Sequence, residues 1–183
     1  STEETAVAKA ARAVMAIEDL NAQLEAMKHD VLPSPSIVVT MMQGYEKDNV
    51  VPGKVRLLVD FRVLPGMNEP QTRKLVQDAL DVHGIKGYEL KKHFFMPGGE
   101  VDKAHPFVSA CVKKAGELLD RAEEPMPFGA SCEQCFLVEA GAATVIIGPG
   151  SLDQAHTVDE YVEKAQLLRA AELYRQIAMD ILK

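Results

Sequence analysis

The sequence predicts a mixed α/β chain in two parts, an α+β half followed by a piece of an α/β domain. Three observations carry this reading. Apolar residues recur at helical spacing from the first residues onward, and Val55, Leu57, Val59, Phe61 and Val63 form a period-two row. Pro97-Gly98-Gly99 then breaks the chain, and helical stretches flank the one β-branched apolar run of the second half, Ala143-Thr144-Val145-Ile146-Ile147.

In order, Ser1-x-x-Glu4 reads as a capping box, and Ala10, Val14, Ile17, Leu20, Leu24 and Met27 place one apolar face on a long opening helix. Residues 30–35 end it. Residues 36–43 alternate loosely as a strand, with Ile37, Val39 and Met41 on one face. The row beginning at Val55 is a second strand whose other face carries Lys54, Arg56, Asp60 and Arg62, so one face is core and the other is wet. Asn68 caps a second helix with Pro70 in its tolerant first turn, and Gly84 stops it. Residues 88–96 read as a third strand, closed by Pro97-Gly98-Gly99. Helix, strand, strand, helix, strand is a split βαβ, ferredoxin-like sandwich lacking its first strand, which a strand just before Ser1 would complete.

After that boundary the pattern predicts a helix over 106–121, a turn, a helix from Cys132, a strand around Val145 and a terminal helix to Ile181. One clear strand is not a sheet, so residues 100–183 read as the last portion of a larger α/β domain, and 1–99 as a domain of their own. Neither an internal repeat nor a low-complexity tract interrupts this plan.

Composition narrows the function. With 20 Lys and Arg against 27 Asp and Glu the chain is moderately acidic, and the basic residues are scattered, which argues against a nucleic-acid surface. No apolar run approaches the roughly 20 residues of a membrane span, and the opening residues carry no signal-peptide core. Cys111, Cys132 and Cys135 are an odd and sparse set, which reads as reduced thiols of a cytoplasmic protein.

The segment that looks built for chemistry is Gly148-Pro149-Gly150-Ser151-Leu152-Asp153-Gln154-Ala155-His156-Thr157-Val158-Asp159-Glu160. Glycines break the apolar run before it, and Thr157-x-x-Glu160 reads as a capping box that starts a helix at Val158. His156 is thereby held on a strand-loop-helix corner. Imidazole there suits a metal ligand or an acid/base group near neutral pH, and equally a loop histidine satisfied by a backbone carbonyl.

Other motifs are plainer. Cys132-Glu133-Gln134-Cys135 has CxxC spacing, but it lacks a second pair for zinc and a preceding strand for dithiol redox chemistry, so the spacing favours two independent thiols. Ser131-x-x-Gln134 puts Cys132 and Glu133 in a first helical turn, where Glu133 either meets the helix dipole or lines a site. Asn49 lies in a turn before the strand that bears Asp60 and Arg62. Arg62 either makes a weak surface ion pair or clamps a carboxylate with its planar fork. His29, His83, His93 and His105 read as solvated.

Together these segments resemble the zinc-dependent amidohydrolase family that includes acetylornithine deacetylase, succinyl-diaminopimelate desuccinylase, aminoacylase and glutamate carboxypeptidase. The most specific part is Gly148-Pro149-Gly150 followed by Ala155-His156-x-x-Asp159-Glu160, which looks like the family's last metal-ligand motif. Asn49-Val50-Val51-Pro52, Asp60-Phe61-Arg62 and Pro65-Gly66 look like its lid signature. Ser151 to His156 and Cys132-Glu133 look most like the acetylornithine deacetylase branch.

The resemblance implies a ferredoxin-like lid and dimerisation domain over 1–99 and the C-terminal portion of an α/β zinc-hydrolase domain over 100–183. It implies hydrolysis of an N-acyl amino acid, or a dipeptidase or carboxypeptidase activity of the same family. The reading from another class is a non-catalytic dimerisation or ligand-binding module. By resemblance, His156 ligates one zinc of a pair, and Asn49, Arg62, Glu133, Gly148, Gly150 and Ser151 face the substrate or line its pocket. The family's His-x-Asp motif, paired glutamates, lid histidine and general-base glutamate have no counterpart here. The expectation is therefore the C-terminal part of a longer or split enzyme, a homodimer through its lid, inactive without its N-terminal zinc-binding part.

Overall fold

The computed structural model describes residues 4–182 and divides the chain into two compact units, the first ending at Gly98 and the second beginning at Gly99. In unit 1, helix α1 (Ala6–Leu24) opens on Thr5, whose hydroxyl accepts the Ala8 N–H at 3.2 Å. The expected capping box involves Ser1, which lies outside the described residues. α1 buries Ala10, Ala13, Ala16, Ile17, Leu20 and Leu24, a stripe at the i, i+3, i+4, i+7 spacing of one helix face. Met27 falls beyond the helix end and is half exposed.

Strands β1 (Ser36–Gln43) and β2 (Arg56–Arg62) pair antiparallel, and α1 packs on β1. Ile37 pairs with Phe61 and Val39 with Val59, but the register shifts between Val39 and Met41, so Met41 comes opposite Leu58. Thr40 is the extra residue of a β-bulge. Side chains alternate strictly along a strand, so one inserted residue sends Met41 to the other face from Val39, against the expected row.

Helix α2 (Glu69–Val82) has the predicted Asn68 cap in reciprocal form. Asn68 Oδ1 accepts the Gln71 N–H at 3.0 Å, and Gln71 Oε1 accepts the Asn68 N–H at 3.0 Å. Gly84, at φ 65°, ends it as expected: Gly84 N–H bonds the Asp81 carbonyl and Ile85 N–H bonds that of Leu80, both at 2.9 Å. That reversal drops Ile85 beside Leu80 in the core formed by α1, β1 and α2, where Ile17, Leu24, Ile37 and Ile85 are almost wholly buried.

The third expected strand does not form. Residues 88–96 carry no ladder, and the one pairing near them is a bridge between Gly98 and Pro65. A strand exists only by pairing, and among the described residues no ladder partner lies beside this segment; the Leu90 carbonyl instead accepts from the Arg73 guanidinium at 2.8 Å. Unit 1 is thus a two-stranded sheet with helices. Gly98 is required at its bridge, since a Cβ there would lie 2.5 Å from the Pro65 nitrogen.

Unit 2 is helical. α3 (Pro106–Leu119) buries Val108, Cys111 and Ala115 and packs with α5 (Lys164–Ile181), which buries Ala170 and Leu173. Between them lies the short α4 (Gln134–Glu139). It starts two residues later than expected and has no side-chain cap; Gln134 turns its amide to the Thr144 hydroxyl at 2.6 Å instead of reaching back to Ser131. The run 143–147 is not a strand, because a strand exists only by pairing and none lies beside it among the described residues. Within the described residues no helix is long and apolar enough to cross a membrane.

Candidate functional site

The glycine-punctuated loop of unit 2 is tied down at several points. Tyr174 of α5 donates its hydroxyl hydrogen to the Ile147 carbonyl at 2.9 Å, and a Cβ on Gly148 would stand 3.4 Å from that hydroxyl oxygen. Gly150 has φ 93°, a backbone that only glycine adopts readily, and its N–H donates to Gln166 Oε1 at 2.8 Å. Ser151 then opens a single 3₁₀ turn (Leu152–Gln154), its Oγ accepting the Asp153 N–H at 3.2 Å. Gly148, Gly150 and Ser151 therefore shape the loop through backbone conformation and turn bonds.

His156 follows that turn at φ 63°, in the left-handed region. A non-glycine residue there is uncommon and costs about 1–2 kcal/mol, although histidine is among the types enriched there. Its backbone N–H donates to Glu160 Oε2 at 3.0 Å, and its side chain is exposed. The helix expected from Val158 is absent. Thr157 donates its hydroxyl hydrogen back to the Gln154 carbonyl at 2.8 Å, and the Glu160 carboxylate reaches to His156. With both members of the predicted box engaged upstream, α5 begins only at Lys164, and Val158 is fully exposed.

Glu133 stands at the N-cap position of α4, exposed, in the wall of a cleft of about 620 Å³. Phe107, Phe136, Leu137 and Val145 give the cleft an apolar lining, with Cys132, Gln134 and Thr144 as polar points. Sequence reasoning did not single out Phe107 or Thr144. Phe107 looked like an ordinary helix-start residue, and no local spacing announces that Thr144 will meet Gln134.

The two candidates in unit 1 are surface residues. Asn49 is exposed in a turn closed by the Val50 N–H on the Lys47 carbonyl at 3.0 Å. Arg62 lies on the wet face of β2, where its Nε donates to Asp60 Oδ2 at 2.8 Å with both side chains largely exposed. Such a pair contributes under about 1 kcal/mol. Three of the other histidines have local partners. His29 Nδ1 accepts the N–H groups of Val31 and Leu32, His83 Nε2 meets Asp19 at 2.9 Å, and His105 Nδ1 caps α3 by accepting the Phe107 N–H.

A zinc site takes three or four protein donors. Among the described residues no group of three His, Cys, Asp or Glu side chains comes together. The donors present do not fit a metal site by themselves; His156 offers one imidazole, and the geometry supplies no companions.

Comparison with known proteins places this chain. It is 28% identical over 149 residues to an acetylornithine deacetylase from Myxococcus xanthus, covering 80% of this chain and 38% of the relative. It is 27% identical over 154 residues to a succinyl-diaminopimelate desuccinylase from Marinobacter nauticus, covering 84% and 40%. The chain thus spans about two-fifths of the length of the curated relatives it matches. Its fold is similar to that of an M20 family metallo-carboxypeptidase from Sulfolobus solfataricus, with a TM-score of 0.64 at 18% identity, covering 88% of this chain and 41% of the other. The model of peptidase family M20/M25/M40 matches residues 2–180, and the chain belongs to that family.

Proposed function

We propose that residues 1–183 are the C-terminal part of an M20 amidohydrolase that cleaves the amide bond of N-acyl amino acids, with unit 1 as its ferredoxin-like lid and unit 2 as part of its catalytic domain. The observation that carries the reading is His156, an exposed imidazole held at a strained φ of 63° by Glu160 at the end of a glycine loop. Strain of this kind persists where surrounding structure imposes it, and it clusters at functional sites. The relatives named as a deacetylase and a desuccinylase support removal of an acyl group from an amino nitrogen.

In this reading His156 is one ligand of a two-zinc centre whose other ligands lie outside this chain. Gly148, Gly150 and Ser151 form the pocket wall beside it. Glu133 is a pocket acid, Asn49 and Arg62 are polar groups of the lid, and the enzyme is a homodimer through that lid. The similarity to a metallo-carboxypeptidase favours a second reading in which the acyl group is a peptide. The deciding assay offers the enzyme assembled with its metal-binding part a set of N-acetyl and N-succinyl amino acids beside dipeptides. Faster turnover of the N-acyl substrates supports the first reading, faster turnover of the dipeptides the second, and turnover of neither overturns both.

A further inference from the structure

We propose that Cys132 and Cys135 form a reversible disulfide, a thiol-modification site in the wall of the unit 2 cleft. Their spacing alone favours two unrelated thiols; the geometry joins them. The Cys135 N–H faces the Cys132 carbonyl at 3.5 Å, so residues 132–135 close a single turn. The ends of such a turn lie within about 7 Å of each other, Cα to Cα. A disulfide bridges Cα atoms roughly 4.4–6.8 Å apart.

The two thiols also differ as an exchanging pair needs to. Cys132 is half-buried and lines the cleft, where a small molecule can reach it, whereas Cys135 is 5% exposed. Both are free thiols in the structure. The remaining cysteine, Cys111 on α3, is 2% exposed. Burial pushes its thiol pKa up, so it stays protonated and outside the exchange.

The reaction is thiol–disulfide exchange with a low-molecular-weight disulfide of the glutathione class. The Cys132 thiolate attacks one sulfur of that disulfide, a mixed disulfide forms, and the first small thiolate leaves. Cys135 gives its proton to solvent and attacks Cys132 Sγ, and the second small thiolate leaves. The two cysteines give up two electrons, and the small disulfide accepts them and departs as two thiols. The new bond spans Glu133 and Gln134, so oxidation pins the turn that presents the Glu133 carboxylate to the cleft. The inference does not depend on hydrolysis and stands apart from the reading of His156.

The test equilibrates the chain in glutathione buffers of rising oxidised-to-reduced ratio, quenches with acid, alkylates, and reads intact and peptide masses. The expected result is a step in which two of the three thiols resist alkylation and the chain loses the mass of two hydrogens, mapped to Cys132 and Cys135 and reversed by dithiothreitol. Cys111→Ser keeps the step, Cys132→Ser loses it, and Cys135→Ser traps glutathione on Cys132. Three alkylatable thiols at every ratio, a bond that includes Cys111, or a persistent glutathione adduct on Cys132 of the unsubstituted chain would each overturn the proposal. The decisive reading is made on the unsubstituted chain, so a serine variant that fails to fold removes only a control.

Discussion

The Glu160 carboxylate accepts the backbone N–H of His156 at 3.0 Å, and it does so while His156 occupies the left-handed region at φ 63°. The bond is solvent-exposed and screened, so it contributes about 0.5–1.5 kcal/mol, which offsets much of the roughly 1–2 kcal/mol that a side chain pays for that conformation. The corner is therefore held by a local exchange of strain for a charge-assisted bond. Glu160→Ala removes the acceptor, and hydrogen exchange at the His156 amide is expected to speed up by about threefold to tenfold, as the loss of roughly 0.7–1.4 kcal/mol implies. Unchanged protection would show that other contacts hold the corner.

The same strain makes an unusual stability series. His156→Gly places the residue type that accepts positive φ without cost, so chemical denaturation of the chain should show it at least as stable as the parent, by up to about 1 kcal/mol. His156→Val should be less stable by a similar amount, because β-branched residues are outliers there. A glycine variant no more stable than the valine variant would mean that residue 156 does not hold the left-handed conformation in solution.

In unit 1 the reciprocal Asn68–Gln71 cap carries the start of α2. Asn68→Ala should cost about 1 kcal/mol in urea unfolding, and Asn68→Ser should recover most of it, since a hydroxyl can accept the same N–H. Ile17 is 2% exposed in the core between the helices and the sheet. Ile17→Ala should cost roughly 2–5 kcal/mol through lost burial and the cavity left behind.

On α5, Arg175 and Gln176 both donate to Glu172, and the Arg175 hydrogen bond above all holds the Glu172 carboxyl down at about 2, against an ordinary 4.5. A lowered folded pKa stabilises the protein above the unfolded value, and this contribution is lost as pH falls from about 4.5 to about 2. The pair is open to solvent screening, so the readout is the titration itself. Carbon-13 NMR should find the Glu172 midpoint near 2, and Arg175→Gln should move it up toward the ordinary carboxylate range. An ordinary midpoint in the parent chain would show that the pair does not persist in solution.

What was legible in the sequence was local. β1 and the reciprocal cap and glycine stop of α2 follow from alternation, capping chemistry and a positive φ, all settled within a few residues. The third strand was misread, because a strand needs a partner brought from elsewhere in the chain, and no local pattern tells that none pairs with residues 88–96 among the described residues. At the candidate site the glycine loop and the position of His156 were readable, but the direction in which Glu160 reaches was not. Thr157 and Glu160 satisfy the capping motif on paper, and the competing Gln154 carbonyl and His156 N–H decide the outcome. The Glu133 cleft was half readable, since its acid sits at a helix start, while its Phe107 and Thr144 walls come from other parts of unit 2.

The assignment of His156 as one ligand of a metal centre that this chain does not complete is the step on which the proposed function turns. Its most direct test is zinc titration of the purified chain, with a hydrolysis assay on N-acetylated amino acids run on the same sample. Binding should be weak and non-stoichiometric, with no turnover, and His156→Ala should lower that weak binding further. Tight, stoichiometric zinc accompanied by turnover from this chain alone would contradict the claim.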